Sequence, residues 1–294
     1  MPSASVIAIV TPSFNQADFL EAAMRSVLSQ NYPSLQYVVI DGGSTDGSAE
    51  IIARHRGQLY DSAIGPDGGQ YDAINKGFAK TDGEIMGWLN SDDMHMPWTL
   101  SVVGEIFAEF PDIQWLTTRF PIRWDAAGRA VACRDAAGYS KESLLAGETL
   151  PGAGLPGTWP VQQESTFWRR SLWEKAGGRL DADLDAAADY DLWLKFARHA
   201  DLVSVGVPLA GFRRHGDQKT SRALAHYTEQ AALAFSRSGG CSPSKVRRRL
   251  RTLCRGPLPH FLRVLAARSG LMYRSKGCER SRDNSRWQMV ETFA

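Results

Sequence analysis

The sequence predicts an α/β protein, a doubly wound and mostly parallel sheet flanked by helices, with a basic helical C-terminal extension. Three observations predict it. Continuous apolar runs of strand length alternate with segments of helical spacing through residues 6–109. Most runs end in a polar cluster, as strands do where a parallel sheet meets its ligand-binding edge. Charge is unevenly spread: Arg237 to Arg286 holds 14 Lys/Arg against Glu279 and Asp283, while the whole chain carries +2. The remainder is therefore at about −10, and such asymmetry marks a basic tail that meets a negative surface.

The elements follow in order. Val6-Ile7-Ala8-Ile9-Val10 is apolar without interruption, the pattern of a strand buried on both faces. Phe19, Leu20, Ala23, Val27 and Leu28 place a helix over 16–29. Tyr37–Ile40 is a second buried strand, followed by a helix over 46–55, a short strand near 59–64 and a helix over 71–80. A strand over 84–89 and a helix over 97–109 complete this half. The rhythm then changes. Residues 123–129 read as a hairpin turn and 146–160, rich in Gly and Pro, as a loop. A strand over 162–168, a helix over 187–198 and a strand over 202–207 follow, and the chain is helical and basic from 222.

The 294 residues, 43% hydrophobic, suffice for one large domain with a small appendage: 1–220, divisible at 112, and 221–294. Cys133, Cys241, Cys254 and Cys278 form no CxxC pair, so neither zinc nor a disulfide framework is indicated and a reduced cytoplasmic setting is the default. No apolar run reaches the roughly 18 residues of a membrane span. The N-terminal segment lacks the charged start of a signal peptide and enters a strand pattern directly.

Ligands of an open parallel sheet bind beyond the carboxyl ends of its strands. Thr11-Pro12-Ser13-Phe14-Asn15, Asp41-Gly42-Gly43-Ser44-Thr45-Asp46 and Asn90-Ser91-Asp92-Asp93 all end strands, so they lie on one edge. Asp67-Gly68-Gly69-Gln70 leads into a helix whose N-terminus can face an anion. Asn75 and Lys76 can face the same phosphates or form a solvated helix face. Adjacent carboxylates repel, and beside a phosphate site they call for a hard divalent cation, Mg²⁺ or Mn²⁺, that bridges carboxylate to diphosphate. The plain alternative makes Asp92 and Asp93 helix-capping residues, and makes "DGGSTDG" turn-and-cap sequence.

With these residues in place the chain resembles family 2 glycosyltransferases with the GT-A type nucleotide-sugar fold, of the bacterial polysaccharide-biosynthesis kind. The resemblance runs from about residue 5 to about 220. It is carried by "TPSFNQADFLEAAMRSVLSQNYP", "VVIDGGSTDGS", "GPDGGQYDAINKGFAKTDGEIMGWLNSDD", "QQESTFWRRSLWEKAGG", "ADYDLWLKFA" and "FRRHGDQKT", in that order and spacing. It implies an inverting transferase using a UDP-, GDP- or dTDP-sugar, a divalent cation and a glycan or lipid-linked acceptor. Residues 1–112 then form the nucleotide half and 113–220 the acceptor half. One departure stands out: the usual Asp-x-Asp begins here with Asn90, which can hydrogen-bond ribose or a phosphate-bound water but adds no charge. Metal binding is therefore expected at Asp92, with Asp93 as second choice or water-bridged partner and His215 a candidate metal or diphosphate contact. Donor contacts are expected from Thr11, Pro12, Ser13, Asn15, Asp41, Gly43, Ser44, Asp67, Gln70, Asn75, Lys76, Asn90 and Ser91.

Inverting transfer needs a general base for the acceptor hydroxyl. The resemblance implies Asp189, and helical spacing agrees: Asp189 shares a face with Leu192, Trp193 and Phe196, whereas Asp191 shares one with Lys195 and Arg198. A helix-dipole role is the alternative. Gln163 and Glu164 are expected on the acceptor side, as is Trp159, which can stack on a sugar ring or simply pack. Loop 146–160 reads as a lid. In the tail, Lys245–Arg251 and then Leu258, Phe261, Leu262, Leu265 and Met272 describe a basic amphipathic helix. It suits an anionic membrane surface through 237–286, on the inner face of the plasma membrane; a helix packed on the main domain is the alternative. No nucleic-acid motif accompanies the charge. Two rival functions remain at this stage: a nucleotidyltransferase making a sugar nucleotide, and a non-catalytic nucleotide-sugar-binding protein.

Overall fold

The computed structural model describes residues 4–155, 158–216, 218, 224–254, 259–283 and 285–293. The first 112 residues contain β1 (Ile7–Ser13), α1 (Ala17–Leu28), β2 (Leu35–Asp41), α2 (Ser48–His55), β3 (Asp61–Ile64), α3 (Gln70–Ala79), β4 (Ile85–Trp88), β5 (Met94–His95) and α4 (Thr99–Glu109). After it come β6 (Trp115–Thr118), β7 (Ile122–Trp124), β8 (Ala130–Cys133), α5 (Lys141–Leu145), β9 (Phe167–Arg169), α6 (Arg170–Lys175), α7 (Ala188–His199), β10 (Leu202–Val205) and β11 (Ala210–Arg213). The C-terminal segment holds α8 (Leu224–Arg237), α9 (Lys245–Cys254), α10 (His260–Arg268), β12 (Arg274–Arg280) and β13 (Trp287–Phe293).

These strands make a nine-stranded sheet in the order β13-β12-β10-β6-β9-β4-β1-β2-β3. Neighbours are parallel except where β9 runs against β4 and β6, and β13 against β12. The carboxyl ends of β1, β2 and β4 thus share one edge. Every residue of β1 is buried, and its side chains alternate between two cores. Ile7 and Ile9 pack with Leu20, Val103 and Phe107, while Val10 packs with Ile74, Phe78 and Trp88 on the other face. On α3, Gly77 lets the helix lie directly on β1, since a Cβ there would come within 2.4 Å of Val10 Cγ1.

A second, four-stranded sheet, β5-β11-β7-β8, is built from segments that leave the large sheet at that same edge. It links the exit of β4 to the exit of β10. Around the junction lie tryptophans: Trp193 of α7 stacks on Trp88 of β4 at 5.9 Å and on Trp115 at 5.8 Å between ring centroids. This packing sets the start of α7 against the end of β4, with aromatic area contributing well beyond ordinary apolar burial.

Three sequence expectations change. The strand over 162–168 is a single 3-10 turn, Gln163–Ser165, followed by β9, because the Gln163 and Thr166 side chains bond main-chain carbonyls and turn the backbone. The third strand starts at Asp61, after a 3-10 turn over Arg56–Gln58. The segment beyond 220 is helical only to Arg268; β12 and β13 then extend the main sheet, β12 pairing in parallel with β10. Leu258, one member of the expected amphipathic pattern, and Asp217, Lys219 and Thr220 of "FRRHGDQKT" lie outside the described residues.

Candidate active site

At the exit of β4 the chain turns through Asn90–Asp93, closed by the Asp93 N–H donating to the Asn90 carbonyl at 3.1 Å. It then enters β5, which pairs with β11. That pairing decides what the two aspartates do. Asp93 is fully buried and its carboxylate accepts the Arg213 N–H at 2.8 Å. Asp92 is less buried, and its Oδ2 lies 3.0 Å from His215 Nε2. Burial holds the Asp93 carboxyl well above the usual range, with the fields of Asp92 and Glu164 adding to the effect.

Asn90 is a hub inside the protein. Its Oδ1 accepts Gln70 Nε2 at 2.8 Å, and its Nδ2 donates to Gln163 Oε1 at 3.1 Å and to Asp93 Oδ2 at 3.3 Å. Gln163 in turn donates to the Trp88 carbonyl at 2.7 Å. An aspartate at 90 could accept but not donate, and would set a further negative charge against buried Asp93. The Asn90 amide is thus engaged within the protein at the β4 exit.

The ends of β1 and β2 are tied together. Asp41, fully buried, accepts the N–H of Gly43 and Ser44 at 3.1 and 2.8 Å and the Ser44 hydroxyl at 2.7 Å. Its carboxylate shapes the turn, and Gly43 meets the required φ of 86°. Asn15 completes the link in a left-handed conformation: its N–H donates to Ser44 Oγ at 2.8 Å and its Oδ1 accepts the Thr45 N–H at 3.0 Å. Thr11 and Pro12 are buried beneath this surface, Thr11 bonded to the Tyr37 hydroxyl at 2.9 Å. Ser13 Oγ is buried without a hydrogen-bond partner. Asp67 lies against Gly42 and accepts the Gly69 N–H at 2.8 Å, which caps the approach to α3. Ser91, in the β4 turn, is buried. Two residues expected near the phosphates have partners within the protein. Both amide atoms of Asn75 bond the Leu180 main chain, at 3.0 and 2.9 Å, and Lys76 is paired with Asp72 at 2.7 Å.

Across the edge, Asp189 stands in the first turn of α7, four residues before Trp193, the residue packed on Trp88. Burial raises its carboxyl to about 6, against the opposing pull of the Tyr190 N–H at 2.8 Å and the Tyr227 hydroxyl at 3.4 Å. Asp191 instead forms an ion pair with Lys195 at 2.7 Å. Glu164 connects the two sides: burial pushes it up to about 8, and the fields of both Asp92 and Asp189 add to the rise. Glu164 is thus within electrostatic reach of both Asp92 and Asp189. Trp159 packs partly on the core, and its ring carries the Arg134 guanidinium at 4.6 Å.

Among the described residues no group of three His, Cys, Asp or Glu side chains forms a closed metal cage. The Asp92–His215 pair offers one carboxylate oxygen and one imidazole nitrogen, and the His215 ring is buried with Nδ1 unpartnered. That mixed O/N donor set fits Mn²⁺ better than Mg²⁺, with ligand oxygens and water completing the shell. Three neighbours escaped the sequence reading. Phe19 packs against the His215 ring, tilted, at 4.2 Å between centroids, Arg213 lies over Phe19 at 5.1 Å, and Tyr227 reaches Asp189 from α8. Of these, Arg213 had a signal, its place two residues before His215 at the end of β11.

The sequence pattern of the family described as glycosyl transferase family 2 matches residues 8–132. An uncharacterized glycosyltransferase of Mycobacterium tuberculosis is 28% identical over 217 residues, 74% of this chain and 78% of its own. The S. aureus TarS structure spanning 1–349, in complex with UDP-GlcNAc, superposes with a TM-score of 0.61 at 17% identity, over 89% of this chain and 75% of that one. The mannosyltransferase PcManGT from Pyrobaculum calidifontis, in complex with GDP-Man and Mn²⁺, gives 0.54 at 16% identity, over 92% and 85%. At such identities the solved structures speak for the fold, which is GT-A. The order of the motifs, the sheet with its site at the β1, β2 and β4 ends, and the match to the family pattern lead to one identification: this chain is a glycosyltransferase whose residues 8–132 carry the glycosyl transferase family 2 pattern.

Proposed function

We propose that the enzyme moves a sugar, with inversion, from a nucleoside-diphosphate sugar to a hydroxyl of a glycan or lipid-linked acceptor in polysaccharide assembly. The observation that carries this reading is the Asp92–His215 pair at the β4 exit, on the same sheet edge as Asp189, whose carboxyl is raised to about 6. The TarS and PcManGT complexes, with UDP-GlcNAc and with GDP-Man and Mn²⁺, support a nucleotide-sugar donor and a divalent cation. In this reading residues 1–112 hold the donor and 113–220 face the acceptor, with Trp159, Gln163 and Glu164 on that side. Asp92 and His215 would hold Mn²⁺ or Mg²⁺, which when bound supplies positive charge against the diphosphate leaving group.

The remaining chemistry belongs to the chain. Asp189, ionised above about pH 6, accepts the proton of the acceptor hydroxyl while that oxygen forms a bond to the anomeric carbon. The anomeric carbon–phosphate oxygen bond breaks, and its electron pair leaves with the nucleoside diphosphate. Tyr227 and the Tyr190 N–H aim the carboxylate. Glu164, neutral at pH 7, adds no further charge beside Asp189. The test is product analysis with UDP-, GDP- and dTDP-sugars. Metal-dependent release of a nucleoside diphosphate with a sugar of inverted anomeric configuration supports the reading. Release of pyrophosphate from a nucleoside triphosphate and a sugar phosphate refutes it in favour of a nucleotidyltransferase.

A further inference from the structure

The sequence assigns the basic tail a surplus of positive charge, but the structure uses much of it internally. Arg274, Lys276 and Arg280 pair with Glu291, Asp201 and Glu105. On α9, Arg247 donates to the Gly270 carbonyl at 3.1 Å and Arg248 to the Ala153 and Gly154 carbonyls at 2.7 and 3.1 Å. Arg251, fully buried, binds Glu148 at 2.8 Å and lies 3.6 Å from the Tyr273 ring centroid. These three arginines occupy one side of α9; Arg248 and Arg251 fasten it to loop 148–154, which leads to Trp159, and Arg247 holds Gly270.

The opposite side of α9 is of another kind. Val246, Leu250 and Leu253 follow at helical spacing and stand in solvent, Val246 69% and Leu253 75% exposed. Exposed Lys245 and Arg249 flank them. The neighbouring α10, whose end at Gly270 is held by Arg247 and Arg251, likewise exposes Phe261, Leu262 and Leu265 beside Arg268. Six exposed large apolar side chains on two adjoining helices are not an ordinary water-facing surface.

We infer that the outer faces of α9 and α10 dock on an anionic lipid bilayer, with Val246, Leu250, Leu253, Phe261, Leu262 and Leu265 entering the headgroup–acyl boundary. Lys245, Arg249 and Arg268 meet the lipid phosphates. Charge decides the occupant. A second copy would bring like charges face to face, whereas an anionic bilayer offers both an apolar layer and the opposite sign. Because Arg248 and Arg251 fasten α9 to loop 148–154, docking also sets the acceptor-side loop at the membrane. That consequence rests on the acceptor reading above; the docking itself does not.

The experiment is co-flotation of the full chain with phosphatidylcholine vesicles and with phosphatidylcholine–phosphatidylglycerol vesicles, at low and high salt. The wild type is expected to float with the anionic vesicles only and to be released by salt. The triple variant Val246→Glu, Leu250→Glu, Leu253→Glu should lose partitioning about tenfold or more, with an unchanged melting temperature and unchanged donor hydrolysis. A wild type that stays unbound, or a triple variant that floats equally well, overturns the inference. So does a wild-type dimer in light scattering that the triple variant dissolves without any flotation, since the occupant is then a second copy. Flotation is read without any sugar donor, so its failure and that of the proposed chemistry are separable.

Discussion

Replacing Asp189 by Asn should make the protein more stable and nearly inactive. The carboxyl is raised from its ordinary 3.8 to about 6, chiefly by burial. At about 1.4 kcal/mol for each tenfold change in proton affinity, keeping it ionised costs the fold about 3 kcal/mol at pH 8. A group whose proton affinity is higher in the folded state favours folding most below its unfolded value, and that contribution is lost as pH rises through 6. The Asn variant escapes the loss. Its amide can still accept the Tyr190 N–H bond and remain beside Tyr227. Urea unfolding should therefore show the variant ahead by up to about 3 kcal/mol at pH 8, about half that at pH 5, and nothing below pH 3.8. Turnover should fall by roughly 10²- to 10⁴-fold with nucleotide binding intact, and the wild-type rate should drop on the acid side of about pH 6. A variant no more stable at pH 8 refutes the electrostatic argument, and one with near-normal turnover refutes the role of base.

Asp92→Asn and His215→Ala should each weaken Mn²⁺ binding by more than the roughly 10- to 100-fold that loss of an outer partner costs, read by metal titration of thermal stability. Glu148→Gln leaves the buried Arg251 charge unpaired and should cost about 3–5 kcal/mol in urea unfolding; the double change with Arg251→Met should recover most of it. Gly77→Ala drives a methyl into Val10 and should cost about 1–3 kcal/mol by the same assay. An unchanged midpoint would show that α3 can shift off β1.

The parallel half of the fold was legible because its strands are buried on both faces, which leaves no polar residue to interrupt a run such as Ile7–Val10. β12 was not, because the residues it turns inward, Ser275, Gly277 and Cys278, are small or polar and give no apolar alternation. At the site, position along the edge was readable but direction was not. "SDD" cannot say which aspartate faces inward. The pairing of β5 with β11 decides it, and that is a contact between residues about 120 positions apart. Asn75 illustrates the same limit: its partner, the Leu180 main chain, has no side-chain signature. The Arg251–Glu148 pair was hidden inside a run of arginines that reads as uniformly solvated.

The central claim is that Asp92 and His215 hold a divalent cation against the diphosphate of a sugar donor. Calorimetric titration of UDP and GDP into the protein, with Mn²⁺ and with EDTA, tests it most directly. The account predicts binding of at least one nucleotide with Mn²⁺, loss of that binding in EDTA, and loss again in Asp92→Asn despite Mn²⁺. Equal affinity in EDTA, or an Asp92→Asn variant that binds as the wild type does, would contradict it.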